Sequence, residues 1–247
     1  MKETDFETIR TREASLPEQA AEQISKLIVE QHLTSEDKLP SEFELAELLN
    51  VGRGTVREAV KLLVARNVLD IRRGKGTYIA AHPGEVPDPL GFRYYPDQFR
   101  LALDLAEIRG QMEPWVARMA AERATAEDLK GLREACSVVE QDILAERDHS
   151  QNDVKFHVAI AQCTHNLVVP KLIPIITYAI NLFVSLTESR LKAQTLVDHR
   201  EILDAVCDRD GERAAETMAR HIEYNRAMLE ELIDQWKRTD TVEEWKA

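Results

Sequence analysis

The stretch "NDVKFH", Asn152 to His157, sets a carboxylate, Asp153, and an imidazole, His157, four residues apart. On an α-helix that spacing stacks both on one face, and both are good ligands for a divalent cation. Such a pair also arises by chance on an ordinary helix surface, so a metal site needs further ligands from elsewhere in the chain. Two histidines qualify. His199, in "LVDHREILDAV", shares a helical stripe with Leu196, Ile202, Leu203 and Val206. His221, in "MARHIEYNRAML", shares one with Met218, Asn225 and Met228. Both faces are expected to be buried. His32 and His82 belong to the first half of the chain, and His149 and His165 fall at helix ends, so these four are set aside. Each inward histidine taken alone has a plain alternative, a hydrogen-bonded core residue. Taken together, one oxygen and three imidazole nitrogens suit Zn first, with Ni, Mn or Fe as alternatives.

These ligands must be carried by helices, and the pattern supplies them. From Gln98 onward apolar residues recur at helical spacing over about 98–123, 126–147, 150–164, 167–188, 193–208 and 211–237, with breaks at "ERAT", "RDHS", "CTHN", "SRLK" and "DRDG". Helices joined by short connections predict an antiparallel bundle, and bundle cores are places where facing helices build metal sites. An unpaired carboxylate in such a core is costly, which argues that Asp153 has a partner.

The first half reads differently. A helix is expected from about Pro17 to His32. A second follows Ser41, which with Glu44 three residues on forms a capping box. After the turn "NVGRG" a third helix starts near Arg53. "VLDIRRGKGTYIA" alternates, turns on Gly74-Lys75-Gly76 and returns, as a hairpin does. Helix, short helix, turn, helix and hairpin is the plan of a winged helix-turn-helix, in which the N-terminal residues of the helix after the turn reach base edges. Here those are Arg53, Gly54, Thr55 and, one turn on, Arg57, with Arg72, Arg73 and Lys75 in the wing. The whole chain of 247 residues carries a net charge of −12, yet residues 53–75 hold seven basic side chains against two acidic ones. A local basic face decides phosphate binding; the global sum does not. A single winged helix makes few contacts, so a homodimer on a palindromic operator is expected.

The domain plan read from these patterns is a flexible arm at 1–15, a DNA-binding domain at 16–80, a Pro- and Gly-rich linker at 81–97, a helical domain at 98–237 and a polar tail at 238–247. Three scattered cysteines, a charged start with no apolar segment and no membrane-length apolar run point to a cytoplasmic protein.

Two resemblances add to this. "LPSEFELAELLNVGRGTVREAVKLLVARNVLDIRRGKGTYIA" resembles the GntR-type winged helix. It keeps Leu39, Pro40, Ser41 and Glu42 at the start, Arg53, Val56, Arg57, Glu58 and Ala59 in the recognition helix, and Gly74 and Gly76 at the wing tip. The resemblance implies that Ser41, Arg53, Thr55, Arg57 and Arg72 lie at the DNA, with the Lys75–Gly76 tip in the minor groove. Phe43 stands where the family usually has a DNA-touching Arg, and Gly52 and Gly54 replace the commoner Ser or Thr. From about residue 98 to 235 the chain resembles the FCD effector domain of the FadR subfamily, through "LAEIRGQMEPWVARMAAERAT", "NDVKFHVAIAQCTHN" and "VDHREILDAVCDRDGERAAETMARH". That likeness implies a metal at Asp153, His157, His199 and His221.

By the same likeness Arg109 points into the pocket and meets an anionic ligand, whereas on its own it could be a surface ion pair with Glu107 or Glu113. A guanidinium beside a metal suits a carboxylate. Asn166 and Asn225 could add hydrogen bonds to that ligand. Asn166 could equally cap the helix beginning "LVVPKL", and Asn225 could be solvated. The expected protein is a mainly α, ligand-responsive DNA-binding regulator, a repressor, not an enzyme, whose effector is a small organic or sugar acid. A metal-dependent hydrolase or lyase is the alternative, though no His-Glu-x-x-His, nucleophile motif or phosphate loop supports it. A pure metal sensor is the third option.

Overall fold

The computed structural model describes residues 14–187 and 190–239, without the side chains of residues 186 and 236–239. The expected arm and tail lie almost wholly outside these. The chain divides into two compact units, 1–89 and 90–247.

In the first unit, α1 (Leu16–Glu30) starts at Ser15, whose hydroxyl and Glu18 form a reciprocal capping box. α2 (Glu42–Leu49) starts the same way at Ser41 with Glu44, and ends on Asn50 in the left-handed conformation. That turn leads into α3 (Arg53–Ala65). β1 (Leu69–Arg72) and β2 (Gly76–Ile79) pair antiparallel, with Arg72 opposite Gly76. The wing turn is therefore Arg73-Gly74-Lys75, one residue earlier than the pattern suggested, and Gly76 is its first strand residue. Ile24, Leu45, Val56, Val60, Leu63, Leu69 and Ile79 form the core that holds the three helices and the hairpin together.

In the second unit, the Pro-rich stretch yields one 3₁₀ turn, Phe92–Tyr94, where no regular element was expected. The helices are α4 (Gln98–Arg123), α5 (Ala126–Leu144), α6 (Ser150–Gln162), α7 (Val169–Ile176), α8 (Tyr178–Leu186), α9 (Lys192–Cys207) and α10 (Gly211–Thr239). The single helix expected over 167–188 is two. Pro174 cannot donate to the carbonyl four residues back, and the Thr177 hydroxyl donates to the Ile173 carbonyl at 2.8 Å, loosening the helix where α7 ends.

The core runs through Val116, Ala117, Leu132, Val139, Phe156, Ile160, Ile202, Val206 and Met218, from five helices. Burial pushes the thiols of Cys136 and Cys163 up to about 11 and about 12, which suits packing and not reactivity. No helix among the described residues is long and apolar enough to cross a membrane.

Candidate metal centre

α6 brings Asp153 and His157 inward together because they are one turn apart on the face that also carries Phe156 and Ile160. α9 brings His199 in beside Ile202 and Val206. α10 brings in His221. His157, His199 and His221 are each about 2% exposed, and one nitrogen from each lies within 4.8 Å of the others. Asp153 Oδ1 is 3.5 Å from His157 Nε2 and 3.2 Å from His199 Nε2. The four side chains expected from sequence are thus gathered in one interior spot.

Their partners fix which atoms are free. His157 Nδ1 faces Glu113 Oε2. A carboxylate only accepts, so Nδ1 carries the proton and Nε2 is left over. His221 Nδ1 faces Asp198 Oδ2 at 3.5 Å, leaving its Nε2. The His199 ring stacks on Phe156, with centroids 4.3 Å apart, and neither of its nitrogens is bonded. Asp153 Oδ1, His157 Nε2, His199 Nε2 and His221 Nε2 are all buried without a hydrogen-bond partner. Leaving four buried polar atoms unmet costs about 1–3 kcal/mol each. A cation would satisfy them all at once, so these residues fit a metal.

Glu113 and Asp198 were not anticipated. Each sits opposite a histidine nitrogen, the arrangement that orients metal-bound imidazoles elsewhere. Glu113 also binds Arg109, whose Nε donates to Oε1 at 2.5 Å, with both side chains 2% exposed. Burial raises the Glu113 carboxyl, but Arg109 and His157 outweigh it and hold it at about 2. Burial lowers His157, yet Glu113 and Asp153 bring it up to about 9. Burial also raises Asp153, and the neighbouring His199 and His157 draw it well below the usual carboxylate range. His221 falls to about 4, from burial that Asp198 offsets only in part. Glu113, Asp153 and Asp198 are three buried carboxylates against the Arg109 guanidinium and the His157 imidazolium, whose Nε2 proton a bound cation would displace. That imbalance favours a divalent cation.

Arg109 is therefore neither a surface pair nor solvated: it is buried, bonded to Glu113, and its Nη2 has no partner. Asn225 is buried one turn beyond His221, which corrects the expectation that it could be solvated. Asn166 Oδ1 accepts from the amides of Val168, the N-cap of α7, and Val169, its first residue, so it braces the turn into the helix. His149, set aside as a helix-end residue, is buried with Nδ1 unpartnered, one turn before Asp153. No periodic signal marked it, because it stands at the N-cap where the helical stripe begins.

On the first unit, Arg53, Arg57 and Lys75 are exposed, and Thr55 is half-buried. Arg57 Nη2 pairs with Glu42 Oε2 at 2.8 Å. Arg72 is held inside its own wing: it stacks over Tyr78, 4.1 Å from the ring centroid, and donates to the Ser35 carbonyl at 3.2 Å. Ser41 spends its hydroxyl on the α2 cap. Phe43 is exposed.

Residues 16–79 match the family of bacterial regulatory proteins called gntR, and residues 104–224 match the FCD domain. The chain is 30% identical over 213 residues to the Uxu operon transcriptional regulator of Escherichia coli, spanning 81% of each. It is 27% identical to the galactonate operon transcriptional repressor of the same organism, over 85% of this chain and 94% of that one. Among solved structures it is similar to Streptococcus agalactiae GntR, at 37% identity and a TM-score of 0.75, covering 85% of this chain and 99% of the other.

Proposed function

Since the chain belongs to the GntR family of bacterial transcription regulators and carries an FCD domain, we propose that it is a repressor whose helical domain senses a small organic or sugar acid through a bound divalent cation. The observation that carries this is the set of four buried, unbonded ligand atoms at Asp153, His157, His199 and His221. Zn is the first choice for three nitrogens and one oxygen, with Ni, Mn or Fe as alternatives. The metal supplies a Lewis-acidic point for an acid oxygen. Arg109, with one nitrogen spent on Glu113 and Nη2 left over, orients the carboxylate, and Asn225 adds an amide. Asn166 can offer only its amide N–H groups, since its Oδ1 accepts from Val168 and Val169. One relative is named for galactonate, which supports a sugar acid as the effector.

Residues 16–80 form the DNA-binding domain, joined by 81–97 to the effector domain at 98–237. Two copies acting in the cytoplasm bind a palindromic operator, with Arg53, Thr55, Arg57 and the Lys75–Gly76 tip at the DNA and Ser41 and Arg72 shaping that surface. An effector shifts operator affinity only by binding the two states of the protein differently. The test is elemental analysis of gently purified protein followed by operator binding titrated with sugar acids, with and without metal. One ion per chain and acid-dependent release that needs it are expected. A protein that takes up no ion on addition would end this mechanism. Release by metal alone, with acids inert, would make it a metal sensor, and turnover of an acid would make it an enzyme.

A further inference from the structure

We propose that the effector carries two anionic groups, and that His149 and Lys192 hold the second one, away from the three histidines. This rests on the acid-binding site proposed above and adds a requirement to it.

The directions of the helices place these residues at one end of the site. Glu113 meets His157 and Arg123 reaches the Thr164 carbonyl at 3.3 Å, so α4 and α6 run parallel. Asp142 meets Asn152, so α5 runs against α6; Glu140 meets Arg200 and Arg133 meets Cys207, so α5 also runs against α9. α9 is therefore parallel to α6. Asp198 faces His221 while Asp208 meets Arg213, so α10 runs against α9. Along this shared axis, the N-terminal sides of α4, α6 and α9 and the C-terminal side of α10 coincide.

That end is lined by donors. Arg109 precedes Glu113 by one turn and His149 precedes Asp153 by one turn. Thr195 precedes His199 by one turn, with Lys192 a further turn back on the same stripe, and Asn225 follows His221 by one turn. Arg109, His149, Thr195 and Asn225 are 2–8% exposed and Lys192 is half-buried. Arg109 Nη2 and His149 Nδ1 are buried with nothing to bond. Asp153 meets His199 at 3.2 Å, so one turn back His149 and Thr195 are level, with Lys192 at the next turn of α9.

A monocarboxylate is fully served by the cation and Arg109. It leaves the buried His149 Nδ1 unmet, which is unfavourable, and leaves the half-buried Lys192 beyond it with no anion to face. His149 lies about 6 Å along α6 from Asp153, the nearer of that helix's two ligands, from one turn of helix. A chain bearing acidic groups at both ends bridges that span once the contacts at each end are counted. A neutral imidazole has an N–H to give, so no protonation change is needed.

The test uses full-length, zinc-loaded protein and titration calorimetry with three probes: a six-carbon aldonic acid, the aldaric acid of the same length, and the 6-phosphoaldonic acid. One of the two double anions should bind roughly tenfold or more tighter than the aldonic acid. Which one wins tells a carboxylate from a phosphate. Both His149→Gln and Lys192→Met should bring that preference to about threefold or less, while aldonic acid affinity stays within about twofold and zinc content is unchanged. Lys192→Arg should keep the preference. Equal affinity for all three probes, or a preference that survives both substitutions, overturns the second anionic group and leaves the metal-anchored acid intact. If the zinc-loaded protein binds none of the three, the acid site itself falls, and this inference with it. Lys192 is half-buried near the start of α9, so its variants remain a fair test should His149→Gln fold poorly.

Discussion

Glu113 ties Arg109 to His157: one carboxylate oxygen takes the guanidinium Nε–H at 2.5 Å and the other takes the imidazole Nδ1–H. One side chain thus sets the tautomer of a metal ligand and the pose of an anion-binding residue. Glu113→Gln should lower metal affinity about 10–100-fold, as expected for loss of an orienting carboxylate. It should also cost roughly 3 kcal/mol of stability by leaving a buried guanidinium unpaired. Metal competition titration and chemical unfolding measure the two effects. An unchanged metal affinity would remove Glu113 from the site.

Asp198 faces His221 more loosely, at 3.5 Å with its Oδ2 making no hydrogen bond, while its Oδ1 accepts from Gln194 at 2.9 Å. Asp198→Asn should weaken metal binding by less than Glu113→Gln, about tenfold. His199→Ala, which removes a ligand outright, should abolish stoichiometric uptake. The order of the three variants in one competition assay is the check, and Asp198→Asn ranking as the most damaging would contradict this geometry.

The two wing and helix arginines should separate. Arg53→Ala should cost about 1–3 kcal/mol of operator affinity and relax preference at one base pair. Arg72 is tied to Tyr78 and Ser35, so Arg72→Ala should mainly destabilise the first unit, by about 1 kcal/mol. Lys75→Ala should reduce the salt slope of binding by about one. Gel-shift titrations on operator variants at several salt concentrations, with thermal unfolding alongside, distinguish these outcomes. Arg72→Ala altering base preference with no loss of stability would reverse the assignment.

Gly76 has φ of +124°, and a Cβ there would run into the Lys38 side chain. Gly76→Ala should destabilise the first unit by about 1–3 kcal/mol through backbone strain. Gly54, with open space around its missing Cβ, should accept Ala without loss of stability. A matched pair of melting curves reads this, and equal curves for the two variants would refute it.

Asp128 caps α5 through Thr125 and is met by His165 at 2.8 Å. The Thr125 hydroxyl and then the Thr125 amide and His165 hold its carboxyl below the usual value of 3.8, against burial that raises it. A depressed carboxyl stabilises the fold above its unfolded value and loses that contribution as pH falls through its folded value. Asp128→Asn should therefore cost about 1 kcal/mol at pH 7. The gap to the native protein should shrink as pH drops below about 3.8. A gap that stays constant into acid would mean the charge plays no part.

Much of this protein could be read along the chain. The capping pair Ser41–Glu44, the turn at "NVGRG", the hairpin and the inward stripes of α6, α9 and α10 all follow from local chemistry, whereas the Ser15–Glu18 cap appeared only in the structure. Periodicity within one helix determines which residues share a face, and so Asp153 with His157 was legible. Pro174 stood in plain view, yet the break it helps make was missed, because the surrounding apolar residues kept the helical pattern.

What periodicity leaves open is how far one helix slides or turns against the next, since that depends on how side chains from several helices interlock. Only the tertiary structure could therefore decide that Glu113 lands on His157, that Asp198 lands on His221, and that His149 and Arg109 are buried at one end of the site. In the wing it was the strand register that turned Arg72 back onto Tyr78. Local sequence determined the ligands and the faces that carry them; the register between helices decided which charges surround them.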